Sequence, residues 1–148
     1  MKKILVADDD YLLRDLIKDI LEGENYVVLE AKDGKEALDL FYQNPELSLV
    51  ILDIMMPEYS GLEVLRRIRQ QSQIPVLILT ALGDSENELK GLRGGANDYM
   101  SKPFHPEVLL ARAENLMRMV QNETNHYMQV GEILVDQNRC RTFVKGEE

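Results

Sequence analysis

The feature that most limits the fold of this chain is a repeated alternation of short apolar runs with segments long enough for helices. The runs are KILVA at residues 3–7, YVVLEA at 26–31, LSLVILD at 47–53, PVLILTA at 75–81 and NDYMSK at 97–102. Most of them are continuously apolar, which is typical of parallel strands that are covered on both faces. Strands that alternate with helices indicate an α/β fold. We therefore predict a five-unit βα domain over residues 1–121.

Helical periodicity supports the segments between the runs. Apolar residues fall on one helical face in three of them: Leu12, Leu13, Leu16, Ile17, Ile20 and Leu21; Leu62, Leu65 and Ile68; and Leu109, Ala113, Leu116, Met117 and Val120. Asp33 and Ser60, each followed by a glycine, mark two helix starts. The segment 84–93 has only Leu89 and Leu92 as apolar anchors, so we expect it to be the most mobile helix.

The alternation stops near Gln121. The polar stretch QNETNH begins there, and we predict a linker at residues 122–129. Residues 130–148, VGEILVDQNRCRTFVKGEE, indicate two strands around a turn at 136–138, which is a β-hairpin extension. Two strands alone are marginal in water, so this hairpin needs a partner in the same molecule or in a second copy.

Composition and charge exclude several classes of function. The net charge of −9 argues against a nucleic-acid surface over most of the chain, because phosphate binding needs clustered Lys and Arg. The single cysteine, Cys140, cannot form an internal disulfide, and no signal peptide precedes the aspartates at 8–10, which suggests a cytoplasmic location. No apolar run approaches the roughly 20 residues of a membrane span, so we expect no membrane partner.

Four of the predicted strands end in residues that could carry chemistry. The first is followed by Asp8, Asp9 and Asp10, the third ends in Asp53, the fourth contains Thr80, and the fifth ends in Lys102 before Pro103. In open parallel sheets, ligands bind at the carboxyl ends of the strands. The acidic residues favour a hard divalent cation, and Mg²⁺ takes few carboxylates while it keeps several waters. The sequence therefore predicts a metal site that could receive a phosphoryl group.

Four segments resemble the receiver domains of bacterial two-component response regulators. They are ILVADDD, LDIMMPEYSGLEVL, LILTA and GANDYMSKPF, which stand in the order and at the spacing of that family across residues 1–121. The resemblance implies a doubly wound, flavodoxin-like sheet with strand order 2-1-3-4-5. It also implies that Asp53 accepts a phosphoryl group from a sensor histidine kinase. The chain would then be no enzyme beyond its own phosphorylation and dephosphorylation.

The resemblance assigns a role to each residue at the strand ends. The implied ligands of Mg²⁺ are Asp8, Asp9, Asp53 and the backbone carbonyl of Met55. Thr80 and Lys102 would contact the phosphoryl oxygens, and the Lys102–Pro103 peptide bond would be cis, a form that is mostly confined to X-Pro bonds.

The resemblance further implies a conformational switch. Tyr99 matches an aromatic residue that rotates from an exposed position into space that Thr80 vacates, which changes the face built by the fourth helix, fifth strand and fifth helix. We expect this face to form a homodimer, with Asp98 and Arg112 matching a usual pair of the family.

Two features bear on the output of such a switch. Glu88 and Val108 align with the lysine and glutamate that usually pair across the dimer, so that pair is absent. Residues 130–148 resemble the opening strands of an OmpR/PhoB-type winged-helix domain and end before any recognition helix. DNA would therefore be bound only through the remainder of such a domain.

Two other functions compete with this interpretation. Asp8 and Asp10, two apart after the first strand, resemble the motif of haloacid dehalogenase-type phosphatases, with Asp8 as nucleophile. Leu12 stands where that family has Thr or Val, and the segment DIMMP would have no role. A flavodoxin-like flavin binder would need a phosphate loop rich in Ser, Thr or Gly where this chain has three aspartates. Each acidic residue alone could also be a helix cap or a turn residue.

Overall fold

The structure is a computed structural model that describes residues 1–130, with side chains described through Met119. The elements of this part are β1 (Lys3–Ala7), α1 (Tyr11–Glu22), β2 (Val27–Ala31), α2 (Gly34–Gln43), β3 (Leu49–Asp53), α3 (Gly61–Arg69), β4 (Val76–Ala81), α4 (Ser85–Arg93), β5 (Asp98–Lys102) and α5 (Pro106–Val130). The chain divides into two compact units, Met1–Met117 and Arg118–Glu148, and the sheet belongs to the first. Residues 131–148, with nearly all of the predicted hairpin and Cys140, lie outside the described residues.

The five strands form one parallel sheet in the order β2-β1-β3-β4-β5, which confirms the predicted fold class. Four of the strands begin one or two residues later than the apolar runs that predict them. Pairing places Asp53 beside Leu79 and Thr80 beside Ser101. Because β1 and β3 are neighbours while β2 lies outside them, the chain reverses its strand order there. Ligands of doubly wound folds bind at the carboxyl edge beside such a reversal.

Both faces of the sheet are covered by helices. Alternate residues of the central strands point to opposite faces, as with Leu5 and Val6 of β1. One core cluster joins the sheet to α2 and α3, and the other joins it to α1 and α5. This burial on two faces explains why the strands read as continuous apolar runs.

Side chains cap the first four helices. Asp10, Asp33, Ser60 and Asp84 each accept a hydrogen bond from a backbone N–H in the first turn, which confirms the predicted starts at Asp33 and Ser60.

Two glycines allow the β3–α3 loop to pack closely. A Cβ on Gly34 would lie 2.1 Å from the carbonyl oxygen of Tyr59, and one on Gly61 would lie 2.3 Å from that of Asp53.

The apolar faces predicted for α1 and α4 are wrong in part. Leu12 and Leu16 are 76% and 43% exposed, while Ile17 and Leu21 are fully buried. Successive helical residues turn by about 100°, which places Leu12 and Leu16 at least that far from the buried direction of Ile17. The predicted anchors of α4 are also exposed: Leu89 to 48% and Leu92 to 42%.

The residue of α4 that is buried is a glycine. Gly91 faces the sheet, and a Cβ built on it would lie 3.5 Å from Cγ1 of Ile78. The helix is therefore held to the sheet by close approach of its backbone, with its large apolar side chains turned toward solvent.

The fifth helix is longer than predicted. It continues to Val130, so residues 122–129, predicted as a polar linker, are helical. This segment contains no Gly or Pro that would end a helix. The domain bounds 1–121, 122–129 and 130–148 remain predictions, because a helix can also connect domains. Within the described residues, no helix is both long and apolar enough to cross a membrane.

Candidate functional site

Asp8 is the most deeply buried acid at the carboxyl edge of the sheet. It directly follows β1, and its side chain is 0% exposed. Its Oδ1 accepts a hydrogen bond of 2.9 Å from the backbone N–H of Asp10. Its Oδ2 is buried and has no hydrogen-bond partner within the described residues. Lys102 approaches this oxygen to 3.0 Å, as an ion pair without hydrogen-bond geometry. Buried carboxylate oxygens normally accept hydrogen bonds, so this oxygen, which has only the ion pair with Lys102, is a candidate ligand for a cation.

Asp53 is the last residue of β3 and is 5% exposed. Its Oδ1 accepts a long hydrogen bond, 3.4 Å, from the backbone N–H of Met55, and its Oδ2 lies 3.3 Å from Nζ of Lys102. Burial and the charge of Asp8 raise the pKa of Asp53 to about 6, although Lys102 acts in the opposite direction. Most molecules therefore still carry an ionised Asp53 carboxylate at pH 7.

Three carboxylates converge at this edge of the sheet. Oxygen atoms of Asp8, Asp9 and Asp53 lie within 4.8 Å of one another, with Asp9 exposed and the other two buried. A set of carboxylate oxygens suits a hard divalent cation. Oδ2 of Asp8 also fits, because it accepts no hydrogen bond within the described residues and a bound cation could contact it beside Lys102. The site therefore has the residues of a divalent-metal site.

Asp10 has a different role from its two neighbours. Its carboxylate accepts hydrogen bonds from the backbone N–H groups of Leu12 and Leu13, at 3.0 and 3.3 Å, and so caps α1. The adjacent aspartates thus divide between the acidic cluster and a helix cap.

Lys102 is the cation of the site. It ends β5, and its Nζ contacts carboxylate oxygens of both Asp8 and Asp53. Burial alone would lower the pKa of Lys102, but the two carboxylates outweigh that effect and raise it. The Lys102–Pro103 peptide bond is cis, as the resemblance implies.

Thr80 and Tyr99 lie on the neighbouring strands β4 and β5. Thr80 is 1% exposed, and its Oγ1 lies 3.5 Å from both Oε2 of Glu88 and the carbonyl oxygen of Met100. Tyr99 is half-buried and packs against the core. Its side chain is therefore less exposed than the switch hypothesis predicts for the unphosphorylated state.

Asp98 and Arg112 pair within one chain. Nη1 of Arg112 donates to both carboxylate oxygens of Asp98 at 2.9 Å, which connects β5 to α5. Both residues remain available on the predicted dimer face, because their side chains are 28% and 43% exposed.

Sequence reasoning missed two contacts next to the site. Nη1 of Arg14 donates to the backbone oxygen of Asp8 at 2.9 Å, and its Nε pairs with Oε1 of Glu30 at 3.1 Å. Arg14 thereby ties the loop that carries the acids to β2. The second contact is the one between Glu88 and Thr80. A charged residue on an amphipathic helix gives no signal for either contact, since such residues are usually solvated.

The fold and the site together define a class: a doubly wound domain with an acidic pocket at the ends of β1 and β3 and a lysine at the end of β5. The family model described as "Response regulator receiver domain" matches residues 4–114. The chain belongs to this family.

Individual relatives agree with the family. The chain is 40% identical over 153 residues to "Probable transcriptional regulator ycf27" of Cyanophora paradoxa, covering 99% of this chain and 64% of that protein. It is 43% identical over 118 residues to "Transcriptional regulatory protein CpxR" of Escherichia coli (strain K12), covering 80% of this chain and 50% of that protein. The chain thus spans between half and two thirds of the length of these relatives.

Solved structures show the same fold. The receiver domain of the Francisella response regulator 1452 matches with a TM-score of 0.74 and 36% sequence identity, covering 81% of this chain and 99% of that chain.

The phosphatase alternative is not supported. The family match spans the segment from which that hypothesis takes its motif. The geometry also opposes it, because the carboxylate of Asp10, the second acid of that motif, is engaged as the cap of α1. The geometry also opposes the flavin-binder alternative. The loop after β1, where the phosphate of a flavin would have to bind, carries acidic side chains that would repel it.

Proposed function

We propose that this chain is the receiver of a two-component transcription regulator and that Asp53 accepts a phosphoryl group from a sensor histidine kinase. One observation carries the proposal. The buried Asp53 carboxylate has oxygens of Asp8 and Asp9 within 4.8 Å and the ammonium group of Lys102 at 3.3 Å. A nucleophile beside both a metal-binding set and a cation suits phosphoryl transfer, which depends mainly on positioning and charge neutralisation.

The reaction follows from the ionised state of Asp53. One carboxylate oxygen attacks phosphorus, the P–N bond of the phosphohistidine breaks, and its electron pair returns to the imidazole nitrogen of the kinase. An acyl phosphate forms on Asp53. Lys102 and Thr80 contact the phosphoryl oxygens. Mg²⁺, held by Asp8, Asp9, Asp53 and the carbonyl of Met55, would offset the negative charge of the group in transfer. The chain needs no enzymatic activity beyond its own phosphorylation and dephosphorylation.

Phosphorylation then acts as a switch. The hydroxyl group of Thr80 donates to a phosphoryl oxygen, and Tyr99 on the neighbouring strand moves toward the space that Thr80 leaves. The α4-β5-α5 face changes and forms a homodimer in which Asp98 and Arg112 take part. The phosphoryl group favours the active conformer only by the difference between its contacts in the two states.

The output is the control of transcription. Two matched proteins are described as transcriptional regulators, and the match to ycf27 extends over 99% of this chain. We infer that DNA is bound through a winged-helix domain of which residues 130–148 would supply the first strands. The cytoplasmic location stays a prediction.

Labelling with a small phosphodonor tests the proposal. The chain is incubated with Mg²⁺ and acetyl phosphate, and its intact mass is followed in the wild type, in Asp53→Asn and in Asp39→Asn. We expect one phosphoryl group on the wild type and on Asp39→Asn, where an exposed aspartate of α2 is changed, and none on Asp53→Asn. A phosphoryl group that maps to Asp8, or rapid turnover of phosphate esters, would contradict the assignment.

A further inference from the structure

The hydroxyl group of Thr80 has two acceptors within reach in the described part of the chain. Oε2 of Glu88 and the carbonyl oxygen of Met100 each lie 3.5 Å from Oγ1, and Thr80 is 1% exposed, so bulk water does not compete. A hydroxyl group has one proton and can donate to one acceptor at a time. A carboxylate is a stronger acceptor than a neutral carbonyl, which favours Glu88.

We propose that Glu88 opposes phosphorylation by competing with the phosphoryl group for the hydroxyl proton of Thr80. This inference rests on the proposed function, since its competitor is the phosphoryl group on Asp53. Thr80 cannot donate to both anions. The active arrangement therefore requires that Glu88 first lose this hydrogen bond, which lowers the fraction of molecules that are ready to be phosphorylated.

The position of Glu88 on α4 gives the competition a second consequence. Leu89 and Leu92 of this helix are about half exposed, and Gly91 is its buried residue, so no large side chain of α4 is fully buried against the sheet. The contact from Glu88 to Thr80 links the helix directly to β4 beside the site. When the hydroxyl group of Thr80 donates to the phosphoryl group instead, this link is lost, and α4 keeps only its remaining packing, such as the approach of Gly91 to Ile78.

The length of the contact keeps the competition reversible. At 3.5 Å it is longer than a typical O–H···O hydrogen bond of about 2.7 Å, so it is weak. A phosphoryl oxygen, which carries more negative charge, can displace Glu88. Glu88 therefore lowers the affinity for the phosphoryl group without preventing phosphorylation.

Binding of beryllofluoride, a stable analogue of the phosphoryl group, tests the inference. Affinity is measured by calorimetry in saturating Mg²⁺ for the wild type, Glu88→Gln and Glu86→Gln. Glu86 is the matched control, because it lies on the same first turn with a side chain that is 80% exposed. We expect Glu88→Gln to bind about 3- to 10-fold tighter, the effect of one hydrogen bond of ordinary net strength, because the contact is too long for the full strength of a bond to a charged group. Glu86→Gln should change the affinity by less than about 2-fold.

A double-mutant cycle separates competition for the proton from simple charge repulsion. In a Thr80→Val background, which lacks the hydroxyl group, Glu88→Gln should no longer change the affinity. An equal effect in both backgrounds, or an equal effect of Glu86→Gln, would overturn the inference. Glu88→Asp adds an independent check: it keeps the charge but shortens the side chain, so it should also tighten binding if contact is required.

The outcomes also separate this inference from the proposed function. If the wild type binds beryllofluoride and Asp53→Asn does not, while Glu88→Gln binds like the wild type, only the role of Glu88 is rejected. If the wild type itself binds no beryllofluoride in Mg²⁺, both proposals fail. A thermal melt of each variant establishes that the proteins compared are folded.

Discussion

Nζ of Lys102 lies 3.3 Å from Oδ2 of Asp53, although their strands, β5 and β3, are separated in the sheet by β4. The lysine side chain therefore extends across the carboxyl end of β4. The same Nζ lies 3.0 Å from Oδ2 of Asp8, so one cation serves two buried carboxylates. A single positive charge cannot neutralise both, and the excess negative charge favours a divalent cation at this place.

Removing the positive charge of Lys102 should change the affinities for Mg²⁺ and for beryllofluoride in opposite directions. We expect Lys102→Gln to bind Mg²⁺ about 10-fold more tightly, because a competing positive charge near the acids is gone. The same variant should bind beryllofluoride more weakly, since it loses a contact to the phosphoryl analogue. Titration calorimetry measures both. Lys90→Gln, at an exposed lysine of α4, is the control, and weaker Mg²⁺ binding by Lys102→Gln would refute the prediction.

The raised pKa of Asp53 predicts a dependence of stability on pH. In the folded chain this pKa is about 6, above the ordinary value of 3.8 for an aspartate in water. The folded state therefore holds its proton more tightly than the unfolded state, and stability is lost as the pH rises between these two values. Asp53→Asn removes the loss. Without metal, we expect it to stabilise the chain by about 3 kcal/mol near pH ~7.5 and by only about 1 kcal/mol near pH ~4.5.

Urea denaturation in the presence of a chelator measures this difference. Mg²⁺ should reduce the gain at the higher pH, because the wild-type carboxylate then has a cation beside it. The exposed Asp39 of α2 offers a control, since Asp39→Asn should change the free energy of unfolding by less than about 0.5 kcal/mol. A gain for Asp53→Asn that is equal at both pH values would show that burial of the charge is not its cause.

Gly61 should be essential to the position of Asp53. A Cβ at this residue would lie 2.3 Å from the carbonyl oxygen of Asp53, which is backbone and cannot rotate away. We expect Gly61→Ala to destabilise the chain by about 2–4 kcal/mol and to weaken beryllofluoride binding. Gly91→Ala is the control, because its Cβ would meet Ile78 at 3.5 Å, an ordinary contact distance. That variant should be neutral or more stable by up to about 1 kcal/mol, and a loss like that of Gly61→Ala would argue against the steric explanation.

The neighbours Asp9 and Asp10 should respond differently to the same substitution. Asp9 belongs to the acidic cluster, whereas Asp10 caps α1. Asn caps helices as well as Asp does, so Asp10→Asn should leave Mg²⁺ affinity within about 3-fold of the wild type. Asp9→Asn should weaken Mg²⁺ affinity by at least about 10-fold, because losing a direct ligand should cost at least as much as losing a residue that supports a ligand. Equal losses in a magnesium titration would mean that the metal is held differently.

The strands show how much of the fold local pattern can predict. All five apolar runs are strands, and Asp33 and Ser60 begin helices as expected. Apolar composition and capping residues act over a few neighbouring positions, so they can be recognised without knowing what lies opposite. The errors at Leu12, Leu16 and Leu89 have the opposite origin. A leucine on a helix does not reveal how far the sheet extends beneath it.

The candidate site divides in the same way. The structure brings together Asp8, Asp9, Asp53 and Lys102, all of which stand at predicted strand ends. Their common edge follows from the parallel arrangement of the strands. The contact of Glu88 with Thr80 and that of Arg14 with Asp8 did not follow, because each depends on how a helix is rotated and seated against the sheet.

The sequence by itself determined the alternation of strands and helices, the placement of acids at strand ends and the resemblance to the receiver family. Only the tertiary structure decided which of three adjacent aspartates join the acidic cluster, and which charged side chains approach the site from α1 and α4. The physical reason is the distance along the chain over which each interaction acts. Periodicity and capping are local, whereas contacts between elements arise from the packing of all the helices on both faces of the sheet.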